Sequence, residues 1–109
     1  MQGKKGIQMI KVNGKQFFFE EVEINDYPQK ARFALNNRVE MDRIQDWTGA
    51  TVGIRGNYVP PGRKAALGTR RFYLYIEADS PAKVTYAKTE CLNLLEGHSK
   101  NVYPPEMMK

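Results

Sequence analysis

Apolar and polar residues alternate with a period of two in some stretches of this chain and recur at helical spacing in others. Near the N-terminus, Asn13-Gly14 separates two β-prone runs, Ile7–Val12 and Gln16–Ile24. Asn-Gly is a strong two-residue hairpin signal, because both turn positions need positive φ. In the second arm Phe18, Val22 and Ile24 fall on one face, and Glu21 and Glu23 on the other. Thr51–Arg55 is a short β-branched run. Residues 71–77, Arg-Phe-Tyr-Leu-Tyr-Ile-Glu, alternate cleanly. Phe72, Leu74 and Ile76 face one way, and Tyr73, Tyr75 and Glu77 the other.

Three segments have helical periodicity. Asp26-Tyr27-Pro28 predicts a helix start, with Asp26 as cap and Pro28 in the first turn. This helix runs to about Leu35 and buries Ala31, Ala34 and Leu35; Asn36-Asn37-Arg38 breaks it. A second helix over 39–48 carries Met41, Ile44 and Trp47/Thr48 on one face. Trp47 is expected to be a core anchor beside Ile44. Gly49 stands where a left-handed helix stop belongs. In the third helix Ser80 is the cap and Pro81 the first residue. Val84, Ala87, Cys91, Leu94 and Leu95 form its apolar stripe, and Gly97 is expected to end it. Residues 56–70 hold two prolines and three glycines and predict a long irregular loop. A loop of this length in a small domain is usually functional or mobile.

The predicted order is strand, helix, helix, strand, strand, helix, preceded by an extra strand. This is an α+β fold with helices on one face of an antiparallel sheet. The expected organisation is a basic hairpin extension over 1–19, a domain over 20–97 and a flexible tail over 98–109.

At 109 residues the chain suits one domain with one core. No apolar run approaches the roughly 20 residues that span a bilayer, so no membrane partner is expected. The N-terminal segment lacks the apolar stretch of a signal peptide. Cys91 is the only cysteine, which excludes an internal disulfide and a cysteine-rich zinc site. Its place on an apolar helix face reads as a packed thiol, and the expected compartment is reducing. His98 is the only histidine and falls past the last apolar turn. There is no phosphate-cradling Gly-x-x-x-x-Gly-Lys and no EF-hand spacing. The chain reads as non-enzymatic, without cofactor or metal.

Net charge is +5, and its distribution matters more than its size. No acid occurs between Trp47 and Ile76, an interval holding Arg55, Arg63, Lys64, Arg70 and Arg71. Lys4, Lys5, Lys11 and Lys15 precede an acidic cluster of Glu20, Glu21, Glu23 and Asp26. Segregated positive charge favours a polyanion such as nucleic acid.

A helix, a Thr48-Gly49-Ala50 stop and a strand ending Ile54-Arg55-Gly56 resemble the second helix and second strand of a type I KH domain. The order of elements resembles that fold from about Glu20 to Gly97. Residues 22–32, 44–50, 54–58, 61–63 and 71–77 are similar to the KH-like domain ending the DEAD-box RNA helicases of pre-spliceosome assembly. Glu23-Ile-Asn-Asp-Tyr-Pro28 is the most specific part, and splicing-associated proteins with paired KH domains, which share a similar segment, are the second family it resembles. The resemblance implies a nuclear pre-mRNA splicing factor that engages single-stranded RNA, with spliceosomal proteins as further partners. KH domains carry Gly-x-x-Gly between the first two helices, a turn that clamps about four nucleotides. Leu35-Asn36-Asn37-Arg38 stands there instead. The RNA-contacting residues implied are Asn36, Asn37 and Arg38 at this turn, and Val52, Gly53, Ile54 and Arg55 on the strand. Arg63, Lys64, Arg70 and Arg71 form a phosphate-tracking flank, with Arg70 and Arg71 expected to outweigh Arg38 because no acid is near them in sequence. The alternative function is protein docking through Tyr73, Tyr75, Phe17 and Phe19.

Overall fold

The computed structural model describes residues 6–99. Its elements are β1 (Gln8–Val12), β2 (Lys15–Glu23), α1 (Gln29–Ala34), α2 (Arg38–Thr48), β3 (Thr51–Arg55), β4 (Tyr73–Ala78) and α3 (Pro81–Ser99). The strands form one antiparallel sheet in the order β1-β2-β4-β3. The α+β class and the KH-like order of elements are those expected. Among the described residues no helix is long and apolar enough to cross a membrane.

The hairpin turn forms at Asn13-Gly14, with φ of 52° and 81° at its two residues. β2 then continues without a break through residues 19 and 20, pairing with β1 at its start and with β4 further along. Its alternation sets the layers. Phe18, Val22 and Ile24 pack on the core beneath the helices, with Leu74 and Ile76 from β4. Ala31, Leu35, Ile44, Val84, Ala87, Cys91 and Leu95 close the core from the helical side. Glu20 shares the core-facing side of β2 and is buried. A buried carboxylate needs a partner, and the Lys88 ammonium of α3 supplies one at 2.7 Å.

Four sequence-based expectations need correction. Trp47 is not a core anchor: it is 60% exposed, and Thr48 takes the buried position. The Thr48 hydroxyl donates to the Ile44 carbonyl at 2.7 Å, which satisfies its polar group inside the helix and permits burial. Asp26 does not cap α1. Pro28 holds the N-cap position and no side chain caps that end. Ala34 is only half-buried, whereas Arg32 is buried. Gly97 does not end α3, which runs on to Ser99. The rest of the expected tail, 100–109, and the His98 side chain lie outside the described residues.

Candidate nucleic-acid interface

α2 passes directly into β3 through Gly49, whose φ of 78° is the left-handed stop expected there. This short passage lays β3 alongside α2. Val52 and Ile54 turn toward the helices and pack, half-buried, against the core. β3 is the outermost strand of its side of the sheet. In an antiparallel ladder alternate residues point both backbone groups to the same edge. The Val52 N–H donates to the Gln45 side-chain carbonyl at 2.8 Å, not to β4. Val52 and Ile54 therefore direct their backbone groups to the outer edge, beside α2. Gln45 was not foreseen. Its signal was present: a polar, half-buried helix residue six positions before a strand.

The turn between α1 and α2 solves its geometry without glycine. Asn36 and Asn37 donate their N–H groups to the Phe33 and Ala34 carbonyls at 2.9 and 3.2 Å, continuing the coil of α1. Asn37 is then extended, with φ −74° and ψ 108°, and its side chain accepts from the Glu40 N–H at 3.1 Å. Asn13 is the only non-glycine residue at positive φ among the described residues. The asparagines do not use left-handed geometry here. Leu35 is part of the core, while Asn36, Asn37 and Arg38 are exposed. The absent glycines cost the turn nothing in backbone strain; what is lost is close approach of a ligand to the backbone.

The other site residues separate into two groups. Gly53 and Arg55 face the side of the sheet away from the helices, opposite Tyr75 and Tyr73. The Arg55 guanidinium lies 4.0 Å from the Tyr75 ring centre, and Phe19 stacks on Tyr75 with centroids 5.5 Å apart. Burial first, then the Glu77 carboxylate, raises the Tyr75 phenol above its ordinary range. Arg63 and Lys64 are exposed in the loop after two prolines. Pro60-Pro61-Gly62-Arg63 makes a turn closed by the Arg63 N–H and the Pro60 carbonyl at 3.1 Å.

Arg70 and Arg71 are not isolated from acids in space. Arg70 meets Glu21 at 2.9 Å and lies 3.7 Å from the Tyr73 ring centre. Arg71 meets Glu23 at 2.8 Å and Asp26 at 2.6 Å. The hydrogen bonds to Glu21 and Glu23 are the main cause holding both guanidiniums firmly charged. The end of the interval that is acid-free in sequence thus lies against acids of β2 and Asp26 in the fold. Arg38 is in no ion pair among the described residues.

The start of the long loop is anchored by residues whose roles sequence did not show. The buried Asn25 amide donates to the Val59 carbonyl at 2.9 Å and accepts from the Val59 N–H at 2.8 Å. Arg32 donates to the Tyr27 carbonyl at 2.9 Å, and its guanidinium lies 3.8 Å from the Tyr58 ring centre. Pro28, Arg32, Phe33, Tyr58 and Pro61 line a shallow groove between α1 and this loop.

These features define a KH-type RNA-binding domain: the layer order, the helix-to-strand passage at Gly49, and an open β3 edge beside α2. The chain belongs to the KH-domain family, which it matches over residues 18–96. It is similar to DEAD-box ATP-dependent RNA helicase 42 of Arabidopsis thaliana, at 42% identity over 76 residues, covering 70% of this chain and 6% of the helicase. It is similar to the ATP-dependent RNA helicase DDX46 of Homo sapiens, at 40% identity over 77 residues, covering 71% of this chain and 8% of the helicase. DEAD-box ATP-dependent RNA helicase 45 of Oryza sativa subsp. japonica matches at 38% identity over 76 residues, covering 70% and 8%. The chain therefore spans less than a tenth of the length of these relatives. The match is confined to 76 or 77 residues of much longer helicases.

Proposed function

We propose that this domain engages single-stranded RNA weakly, as the KH portion of a nuclear DEAD-box helicase acting in pre-mRNA splicing. One observation carries the reading. The β3 edge at Val52 and Ile54 directs backbone donors and acceptors outward beside an apolar floor, and the turn Asn36-Asn37-Arg38 that leads into α2 is exposed. Bases can lie on the apolar residues and meet the strand edge, while Arg38 neutralises a phosphate. Gln45 already occupies the Val52 N–H, so RNA must displace or share that contact. The missing glycines hold the RNA backbone at a distance. Both effects keep binding weak. Arg63 and Lys64 extend the phosphate path. Arg70 and Arg71 join it only by exchanging carboxylates for phosphates, and Gly53 and Arg55 contribute from the far side of the sheet.

The test is an NMR titration with short single-stranded RNAs. Shifts at residues 36–38, 45 and 52–54 are expected, with log affinity falling against log salt at a slope of roughly −2 if about three phosphates are neutralised. Tight, salt-insensitive binding, or unmoved signals at residues 36–38 and 52–54, would overturn the proposal. Protein docking is the second reading, favoured by the pairing of Arg70 and Arg71 with acids. Its surface is the sheet face bearing Phe17, Phe19, Tyr73 and Tyr75, and spliceosomal proteins are its proposed partners. Partners that survive ribonuclease and vanish when Tyr73 and Tyr75 become Ser support it.

A further inference from the structure

The helical layer carries an aromatic surface that the groove does not use. Trp47 is 60% exposed and Tyr86 is 46% exposed. They sit on neighbouring helices, and two relationships fix their alignment. Lys83 of α3 lies against Gly49, its side-chain carbons 3.3 Å from where a Cβ would stand. Further along, the Arg43 charge is favoured first by its hydrogen bond to Glu40 and additionally by Glu90 of α3. The helices thus run antiparallel, with residue 49 by 83 and residue 43 by 90. Trp47 and Tyr86, both exposed, fall between these points along their helices.

The surroundings of this surface are acidic, in a chain whose net charge is +5. Its two bases are taken: Arg43 pairs with Glu40, and Lys83 with Asp79 at 3.0 Å. Asp46 and Glu90 are in no ion pair among the described residues. Nucleic acid is repelled by such a field. Trp47 already receives a cation on its ring, for the Arg43 guanidinium lies 4.9 Å from the ring centre. Exposed tryptophan and tyrosine are the side chains that most often anchor protein interfaces.

We infer that the α2–α3 rim formed by Trp47 and Tyr86, flanked by Asp46 and Glu90, is a docking surface for a basic, leucine-containing peptide segment of a partner protein. Arginine from the segment pairs with Asp46 and Glu90 and stacks on the aromatic faces. Apolar side chains cover the two rings.

The test uses the full chain and a short fluorescein-labelled peptide of arginine and leucine. A glutamate-leucine peptide and an arginine-only peptide are the comparisons. Trp47 is the sole tryptophan, so its emission reports on this surface alone. The arginine-leucine peptide is expected to shift that emission to the blue and to bind more tightly than either comparison peptide. Affinity by anisotropy should fall about tenfold in Trp47→Ala, as for an anchor residue, and fall also in Asp46→Lys with Glu90→Lys. Both variants are checked for unchanged melting temperature, and Tyr86→Ala provides a second readout on α3. Unmoved Trp47 emission, equal binding of the glutamate peptide, or full affinity in both Trp47→Ala and Tyr86→Ala overturns the inference. A blue shift produced by single-stranded RNA instead would overturn it too, since the surface would then be a nucleic-acid site.

Discussion

Asn25 grips Val59 by both of its backbone groups, across 34 residues of chain. The side-chain amide imitates a strand partner. It ties the beginning of the long loop to the end of β2, and Tyr58 then falls against Arg32. Asn25→Ala would leave the buried N–H and C=O of Val59 without partners. The expected loss is about 2–6 kcal/mol, from roughly 1–3 kcal/mol for each of the two orphaned groups. Thermal melting gives the loss, and hydrogen exchange at the Val59 amide should accelerate with it. Unchanged exchange at Val59 would count against the clasp.

Trp47 and Ile44 should respond in opposite ways to truncation. Ile44 is 1% exposed, so Ile44→Ala should destabilise by roughly 2–5 kcal/mol. Trp47→Ala removes only surface contacts and should stay within about 0.5 kcal/mol. Denaturant melts of the two variants decide it; comparable losses would return Trp47 to the core.

Releasing Arg70 and Arg71 from their acids should strengthen RNA binding. In Glu21→Gln with Glu23→Gln two of the three carboxylates paired with these guanidiniums are neutralised, which frees Arg70 and leaves Arg71 with Asp26 alone. Single-stranded RNA should bind more tightly, with a salt slope steeper by about 0.7 to 1.4 units if one or two further phosphates are engaged. Arg38→Ala in the unmodified chain should cost more affinity than Arg70→Ala. Fluorescence anisotropy at two salt concentrations separates these outcomes, and an unaltered slope in the double variant would show that the basic flank does not touch RNA.

Burial pushes the Cys91 thiol up from 9.0 to about 11. The folded state therefore holds this proton more tightly than the unfolded chain. The resulting stability is complete below pH 9.0 and is lost as pH rises toward about 11. Stability should decline across that window, and a disulfide reagent should label Cys91 at neutral pH only as fast as the protein unfolds. Rapid labelling of the native protein would contradict the packed-thiol reading.

Gly56 ends β3 with φ +83°, and a Cβ there would stand 2.5 Å from the Arg71 carbonyl oxygen. Gly56→Ala meets both backbone strain and a clash with main chain. A loss of at least about 2 kcal/mol is expected. A melting temperature equal to that of the parent would refute this geometry.

Most of the architecture was legible in the chain because it rests on local periodicity. Period-two alternation at 72–76 set the β4 faces. Asn13-Gly14 marked the hairpin and Gly49 the helix stop, since both turn on backbone conformations that few residues accept. The same local signals could not separate Trp47 from Thr48. They stand three and four residues after Ile44, and hydrophobicity alone favoured the tryptophan. Burial went to Thr48 because its hydroxyl found the Ile44 carbonyl, a choice settled by how α2 rolls against α3 and the sheet.

By itself, the sequence determined the order of elements, the sides of β2 and β4 and the apolar stripe of α3, all consequences of spacing between near neighbours. The tertiary structure alone decided which distant groups meet. Asn25 with Val59, Gln45 with Val52, and Arg70 with Glu21 join segments separated by 34, 7 and 49 residues. The first and third are set by the path of the chain between strands, and the second by the roll of α2 over β3. Charge shows the difference most plainly. The end of an interval free of acids along the chain meets acids in space at Arg70 and Arg71, because antiparallel pairing carries the start of β4 alongside the acidic end of β2. Spacing in sequence reports a local field only for neighbours, whereas Coulomb forces follow distance through the fold.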